Sequence, residues 1–300
     1  MSILRNIIVL PVLFLTVLCS TGTKKGIIEP GAAVEKLSGE FSFTEGPTTD
    51  SRGNVYFTDQ PNDRIMVWTT GEKLETFMQP SGRSNGMYFD KDDYLWSCAD
   101  EKNELWRIAP DKSAEVVLGK YRDAALNGPN DLWIAPDGAI WFTDPYYQRP
   151  WWDHKEPPQD GQCVYYLSPD RQTLLRVIDD MVQPNGITGT PDGKTLYVAD
   201  IGDKKTWVYD IGQDGVLSGR RLFCELGSDG MTIDERGNLY LTGKGVTVFD
   251  KNGQQIEWIE IPEGWTANVA FGGANRKSLF ITSSKGLYRL RMQVKGVGSK

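Results

Sequence analysis

Six polar residues recur at the head of similar stretches: Glu45, Asn85, Asn130, Asn185, Asp229 and Asn268. The stretches read EGPTTDSRGNVYFTD, NGMYFDKDDYLWSCAD, NDLWIAPDGAIWFTD, NGITGTPDGKTLYVAD, DGMTIDERGNLYLTG and NVAFGGANRKSLFITS. Asn favours turns and is depleted in strands, so its place before apolar runs needs a reason. The six include two carboxylates and four carboxamides, with no His, Cys, Lys or Arg. Brought together, such oxygens form a hard-donor cage. It suits Ca²⁺ well, Mg²⁺ less, because Mg²⁺ prefers a compact octahedral shell with several waters, and Zn²⁺ or Cu²⁺ poorly. Glu45 and Asp229 would balance a divalent charge, with the Asn130 and Asn185 carbonyls and water completing the shell. Asn85 and Asn268 are weaker as direct ligands. The opposing reading, that each residue only caps a strand or turn, leaves their common register unexplained.

These positions require elements that repeat. The leading residues fall at 45, 85, 130, 185, 229 and 268. Most steps lie near the 40–45 residues of a propeller blade, and the longer step from 130 to 185 implies an insertion. Each copy reads as strand, tight turn and strand, with Asp-x-x-Gly or Asp-Gly marking the turn. Asp59, Asp100, Asp144 and Asp200 close four of them. Further strand-like runs lie between copies: RIMVW (64–68), ELWRI (104–108), CVYYL (163–167), TWVYD (206–210), VTVFD (246–250) and GLYRL (286–290). No long stretch has a 3.6-residue apolar period. About four strands per copy predict an all-β six-bladed β-propeller with a metal site in its central channel. A β-sandwich would have to produce the repeat by accident. Innermost propeller strands begin at the channel, so equivalent leading residues converge there. AVEKLSGEF (33–41) is expected to close the ring as the outer strand of the last blade.

Composition sets further bounds. The chain has 300 residues and a formal net charge of -7 without a basic patch, which argues against nucleic acid and anionic membranes as partners. Arg5 precedes the apolar run IIVLPVLFLTVLC, too short for an ordinary membrane span. Residues 1–25 are therefore read as a signal peptide with a short linker, and 26–300 as one propeller domain. Export to a periplasmic or extracellular location is expected, and acylation of Cys19 is the one route to a membrane. Cys98, Cys163 and Cys224 lack CxxC spacing and read as buried hydrophobes.

At this point the chain resembles the SMP-30/gluconolactonase/luciferin-regenerating-enzyme family, its gluconolactonase-type members in particular. The carriers are FTEGP (43–47), LNGPNDLWIAPDGAIWFTDPYY (126–147), QPNGIT (183–188), SDGMTIDERGNLYLT (228–242) and NVAFGGANRKSLFITSSKGLYRL (268–290). The resemblance implies a six-bladed propeller with a divalent cation in its channel. It implies metal-ligand roles for Glu45, Asn185 and Asp229, with Asn130 binding metal or substrate and Asp229 also acting as base or nucleophile. It carries no role to Asn85. The activity implied is hydrolysis of a lactone, a cyclic ester that needs an electrophile at its carbonyl oxygen, an activated water and oxyanion stabilisation. Ca²⁺ acidifies water less than Zn²⁺ does, so Asp229 is assigned as the catalytic base.

The insertion at 145–162 holds Tyr146, Tyr147, Trp151 and Trp152, expected to form a lid that stacks on a sugar ring, or else to cover the blade edge. Tyr146, Trp151 and Trp152 join Asn85 and Asn268 as candidate substrate contacts. His154 is the only histidine, so a His pair within one subunit is impossible. No Gly-x-Ser-x-Gly elbow, Walker loop or GxGxxG motif occurs in a usable context. The expected function is a calcium-dependent sugar lactonase. A phosphotriesterase on the same site is one alternative. A non-catalytic binding propeller with a structural cation is the other.

Overall fold

The computed structural model describes residues 26–298, so the expected signal segment with Cys19 lies outside the described residues. Six four-stranded antiparallel sheets follow one another along the chain. Their innermost strands are Thr44–Thr49, Ser84–Phe89, Leu132–Ile134, Pro184–Gly189, Met231–Ile233 and Thr266–Gly272. This is a six-bladed β-propeller. The sixth blade takes its outermost strand, Glu35–Ser38, from the other chain end, pairing Lys36 with Tyr288 and Ser38 with Leu287. The expected closing strand is therefore present, shorter than the 33–41 run.

Within a blade, the second strand is the most enclosed. Val55–Asp59, Leu95–Ala99 and Ile140–Asp144 are buried throughout, as apolar runs flanked on both faces must be. Neighbouring blades share cores: Trp133, Trp141 and Tyr166 of the third pack with Ile187, Leu196 and Val198 of the fourth. Each such side chain fully removed from water contributes about 1.5–3 kcal/mol. The expected run 64–68 is the strand Arg64–Trp68, and 163–167 is Cys163–Leu167. Cys98, Cys163 and Cys224 are buried and free. A small hairpin, Lys120–Tyr121 with Ala124–Ala125, was not expected from the sequence.

The repeated Thr-Asp or Ala-Asp at the end of the second strand has a structural task. Asp59 accepts the backbone N–H of Ser42 (2.9 Å) and Phe43 (3.2 Å). Asp144 accepts those of Asn127 and Gly128, both at 2.9 Å, and Asp200 those of Val182 and Gln183, both at 2.8 Å. Each carboxylate thus clamps the segment that enters its own innermost strand. The threonine beside it reaches the next blade: Thr143 Oγ1 donates to the Asn185 carbonyl at 2.7 Å, and in the fifth blade, where Gly243 replaces the Asp, Thr242 Oγ1 donates to that of Ala267 at 2.7 Å. In the second blade, Asp63 instead takes the N–H groups of Ser81 (2.9 Å) and Arg83 (2.7 Å). Asp100 is thereby released for other contacts.

Candidate active site

Four leading residues, Glu45, Asn85, Asn185 and Asn268, lie near the start of their innermost strands. Asn130 and Asp229 stand just ahead of theirs. Register breaks follow Glu45, Ser84 and Pro184 and precede Asn268. Such bulges bend a strand and re-aim a side chain, which is how a polar residue opens a strand here and still faces the axis. Close approach of the blades explains the glycine after several leaders. A Cβ on Gly86 would sit 2.4 Å from the Asn130 carbonyl oxygen, to which the Gly86 N–H donates at 2.8 Å. Gly46, at φ 44°, would press a Cβ to 2.1 Å from the Asn85 carbonyl oxygen.

The side chains meet in one connected set. Asn185 Nδ2 donates to Asp229 Oδ1 and to the Tyr147 hydroxyl, both at 2.9 Å. Trp265 Nε1 donates to Asp229 Oδ2 at 2.6 Å. Asn268 Nδ2 reaches Glu45 Oε2 and Asp131 Oδ2, each at 3.4 Å, while its Oδ1 accepts the Val269 N–H. Asn268 is therefore a brace between two carboxylates, with its own carbonyl already engaged, and not the free substrate contact expected from the sequence. Asn130 is buried, and its backbone joins the second and third blades through the Gly86 contact.

Negative charge accumulates at this centre. Burial raises the Glu45 carboxyl well above its ordinary range, and Asp229 and Asp131 push it further. Burial carries Asp131 up to about 8. It also carries Asp229 up to about 6, against the opposing hydrogen bonds from Trp265 and Asn185. Tyr147 is raised by burial and then by Asp229, so its phenol stays protonated. Like charges gathered out of water are costly unless a cation joins them.

The donor set fits a hard divalent cation on one further observation. The side-chain carbonyl oxygens of Asn85 and Asn185 are buried without a hydrogen-bond partner among the described residues. Both amide NH₂ hydrogens of Asn185 are spent on Asp229 and Tyr147, which leaves Oδ1 as a ready ligand. Among the described residues no three His, Cys, Asp or Glu side chains cluster as ligands, so amide oxygens have to complete such a shell.

The insertion supplies the wall of the mouth, with corrections to its expected contacts. Tyr147, not Tyr146, reaches the leading residues. Tyr146 turns to Gln148 through its hydroxyl and to Gln162 through its N–H. Trp152 is 5% exposed, donates Nε1 to the Asp100 carbonyl at 2.7 Å and stacks on His154 at 4.9 Å. It anchors the loop and leaves no face for a ligand, because a buried indole N–H must find an acceptor. Trp151 lies between guanidinium groups, 4.5 Å from Arg83 and 5.8 Å from Arg149. The sequence reading missed Asp131, Arg149 and Asp100. Asp131 had one signal: the third copy has Asn-Asp where the first, second, fourth and fifth have Gly after the leading residue.

A cavity of about 730 Å³ opens at the opposite end of the channel, between Met87, Trp133, Ile233 and Phe271. It touches Asp131 and Asn268 but not Glu45, Asn185, Asp229 or Tyr147. That cavity therefore does not locate the chemistry here; the converging polar groups do.

Comparison with known proteins places this geometry. The chain is 28% identical to a gluconolactonase of Zymomonas mobilis over 302 residues, covering 90% of this chain and 84% of that protein. A solved gluconolactonase of Xanthomonas campestris superposes with a TM-score of 0.81 at 31% identity, covering 87% of this chain and 89% of that one. The calcium-binding protein regucalcin of Agrobacterium tumefaciens shares the fold, with a TM-score of 0.74 at 19% identity, over 91% of this chain and 95% of its own. The profile of the SMP-30/Gluconolactonase/LRE-like region matches residues 43–285, and the chain belongs to that family.

Proposed function

We propose that the chain is a divalent-cation-dependent hydrolase of sugar lactones, with Ca²⁺ as the preferred ion. The observation that carries this reading is Asn185: it ties Asp229 to Tyr147 and keeps an unpartnered buried oxygen among the carboxylates. The gluconolactonase relatives support the same chemistry. Glu45, Asn130, Asn185 and Asp229 would hold the ion, which supplies a Lewis acid for the ester carbonyl. Asp229 takes the proton of the attacking water, its carboxylate held from both sides by Asn185 and Trp265. Tyr147 accepts from Asn185 and keeps its own O–H for the oxygen of the tetrahedral intermediate. Trp265, 39% exposed, forms a wall against which a sugar ring can lie.

The test is turnover of D-glucono-1,5-lactone, other aldonolactones and a fluorophosphate triester, each with and without chelator. Lactone hydrolysis that chelator removes and Ca²⁺ restores is expected. Turnover of the fluorophosphate alone would make the site a phosphotriesterase. Bound metal without any turnover would make it a binding propeller. The apolar N-terminal run further supports an exported enzyme, anchored, if at all, through Cys19. Fractionation of cells should find the chain outside the cytoplasm.

A further inference from the structure

Beside the leading residues, the mouth carries a second polar group with a different character. Arg149 lies 5.5 Å from the Tyr147 ring, one ring away from Asn185 and Asp229. Only its Nε is bonded, to Asp100 Oδ2 at 2.8 Å, an oxygen that also accepts from Gln60 at 3.0 Å. Nη1 and Nη2 have no protein partner among the described residues. Arg83, across the Trp151 ring, spends Nη1 on the Pro61 carbonyl at 2.8 Å. Its Nε is buried and unpartnered among the described residues, and so is Trp151 Nε1. Arg149 is thus ion-paired with the buried Asp100 carboxylate through Nε alone, and the Arg83 guanidinium lies close enough to act on the same carboxylate. The loop's other acids, Asp153 and Glu156, are exposed, where water and salt screen them.

Arg83 Nε and Trp151 Nε1 are buried donors, and the Arg149 Nη donors beside them are free to turn to a ligand. Buried polar groups are rarely left unpaired, so a missing partner at this spot should be rich in acceptors and negatively charged. Arginine forks match planar carboxylates and tetrahedral oxyanions better than a lone ammonium does. We propose that Arg149 and Arg83, with the Trp151 indole N–H, bind an anionic substituent of the substrate, so that the preferred substrate is a lactone bearing a carboxylate, phosphate or sulfonate group remote from its ester. This inference rests on the lactone reading above, with the ester at Asp229 and the anion at the Arg149 end of the mouth.

The test compares kcat/KM, at fixed ionic strength with Ca²⁺, for D-glucono-1,5-lactone, its 6-phosphate, its 6-sulfonate analogue and a glucaric acid lactone. An anionic lactone should exceed the neutral one at least tenfold, chiefly through KM, and the best of the three identifies the group. Arg149→Met should bring that ratio towards one, and Arg149→Lys should restore part of it. A ratio near one in the native chain overturns the proposal while neutral-lactone turnover leaves the lactonase reading standing. A ratio that Arg149→Met does not change also overturns it. Should no lactone be hydrolysed, the lactonase reading fails, and quenching of tryptophan fluorescence by 6-phosphogluconate decides the subsite. Saturable binding weakened tenfold in Arg149→Met supports it, and the lack of such binding overturns it.

Discussion

Asp229 is held at both carboxylate oxygens, by Asn185 on one side and Trp265 on the other. A side chain fixed in this way keeps a single orientation towards the water it must activate, which is what general-base catalysis needs. Asparagine at this position keeps the shape and an oxygen for the cation but cannot take up a proton. Asp229→Asn should therefore lower kcat by about 10²–10⁴-fold, the usual range for a lost acid–base group. Calorimetric titration of Ca²⁺ should still find a bound ion, more weakly for want of one charge. An unchanged kcat would remove Asp229 from the chemistry and leave it as a ligand only. Glu45 makes a useful contrast. Its Oε2 accepts the Gly46 N–H at 2.7 Å and faces Asn268 on the other side, an arrangement suited to holding charge in place.

The elements that carry these residues depend on how closely neighbouring blades approach. Gly86 leaves room for Asp131, whose Oδ1 would lie 2.6 Å from an added Cβ. Gly86→Ala should thus push on the Asn130 backbone and on the Asp131 carboxylate together. Overpacking of this kind costs about 1–3 kcal/mol, so a lower Tm with lower kcat is expected in one variant. Thermal melts and lactone assays on the same preparation check it. A variant of native Tm and turnover would show that the blades yield more readily than their spacing implies. Most of this architecture was legible in the sequence because it repeats. RIMVW and CVYYL alternate or run apolar between turn residues, and the leading residues stand at matched positions in every copy. What was not legible lies where no period operates. Tyr146 and Tyr147 are neighbours in an irregular loop, and only the path of that loop decides which one meets Asn185. The same holds for Asp100. It matches Asp59, Asp144 and Asp200 in sequence, yet Asp63 takes over their clamping task and frees it for Arg149. Trp152 looked like a stacking surface by composition, but its indole N–H draws it under the loop.

The whole ring couples charge at its axis to stability. Glu35–Ser38 pairs with Gly286–Arg291 in the sixth blade and closes the ring, so the leading residues cannot separate without opening the molecule. Burial holds Asp131 at about 8, Asp144 at about 7, and Asp229 and Asp100 at about 6, while unfolding returns each to about 4. Between about pH 4 and pH 8 the folded chain therefore binds more protons than the unfolded one. Its stability is highest at the acidic end of that window and falls as pH rises through the folded values. Cation binding reverses the part that belongs to the channel, since Glu45 and Asp229 then meet positive charge in place of protons. Asp144 and Asp100 lie outside the proposed ligand set, so their contribution stays the same with and without the ion. In chelator, Tm should fall between pH 5 and pH 8. The rise in Tm on adding Ca²⁺ should be largest at pH 8 and shrink towards pH 5, where protons compete for the same oxygens. At a hundredfold excess over Kd, that gain corresponds to about 2.7 kcal/mol. Melting curves at matched ionic strength measure the difference directly. A gain independent of pH would mean that the ion binds away from the raised carboxylates, and the axial assignment would then have to be given up.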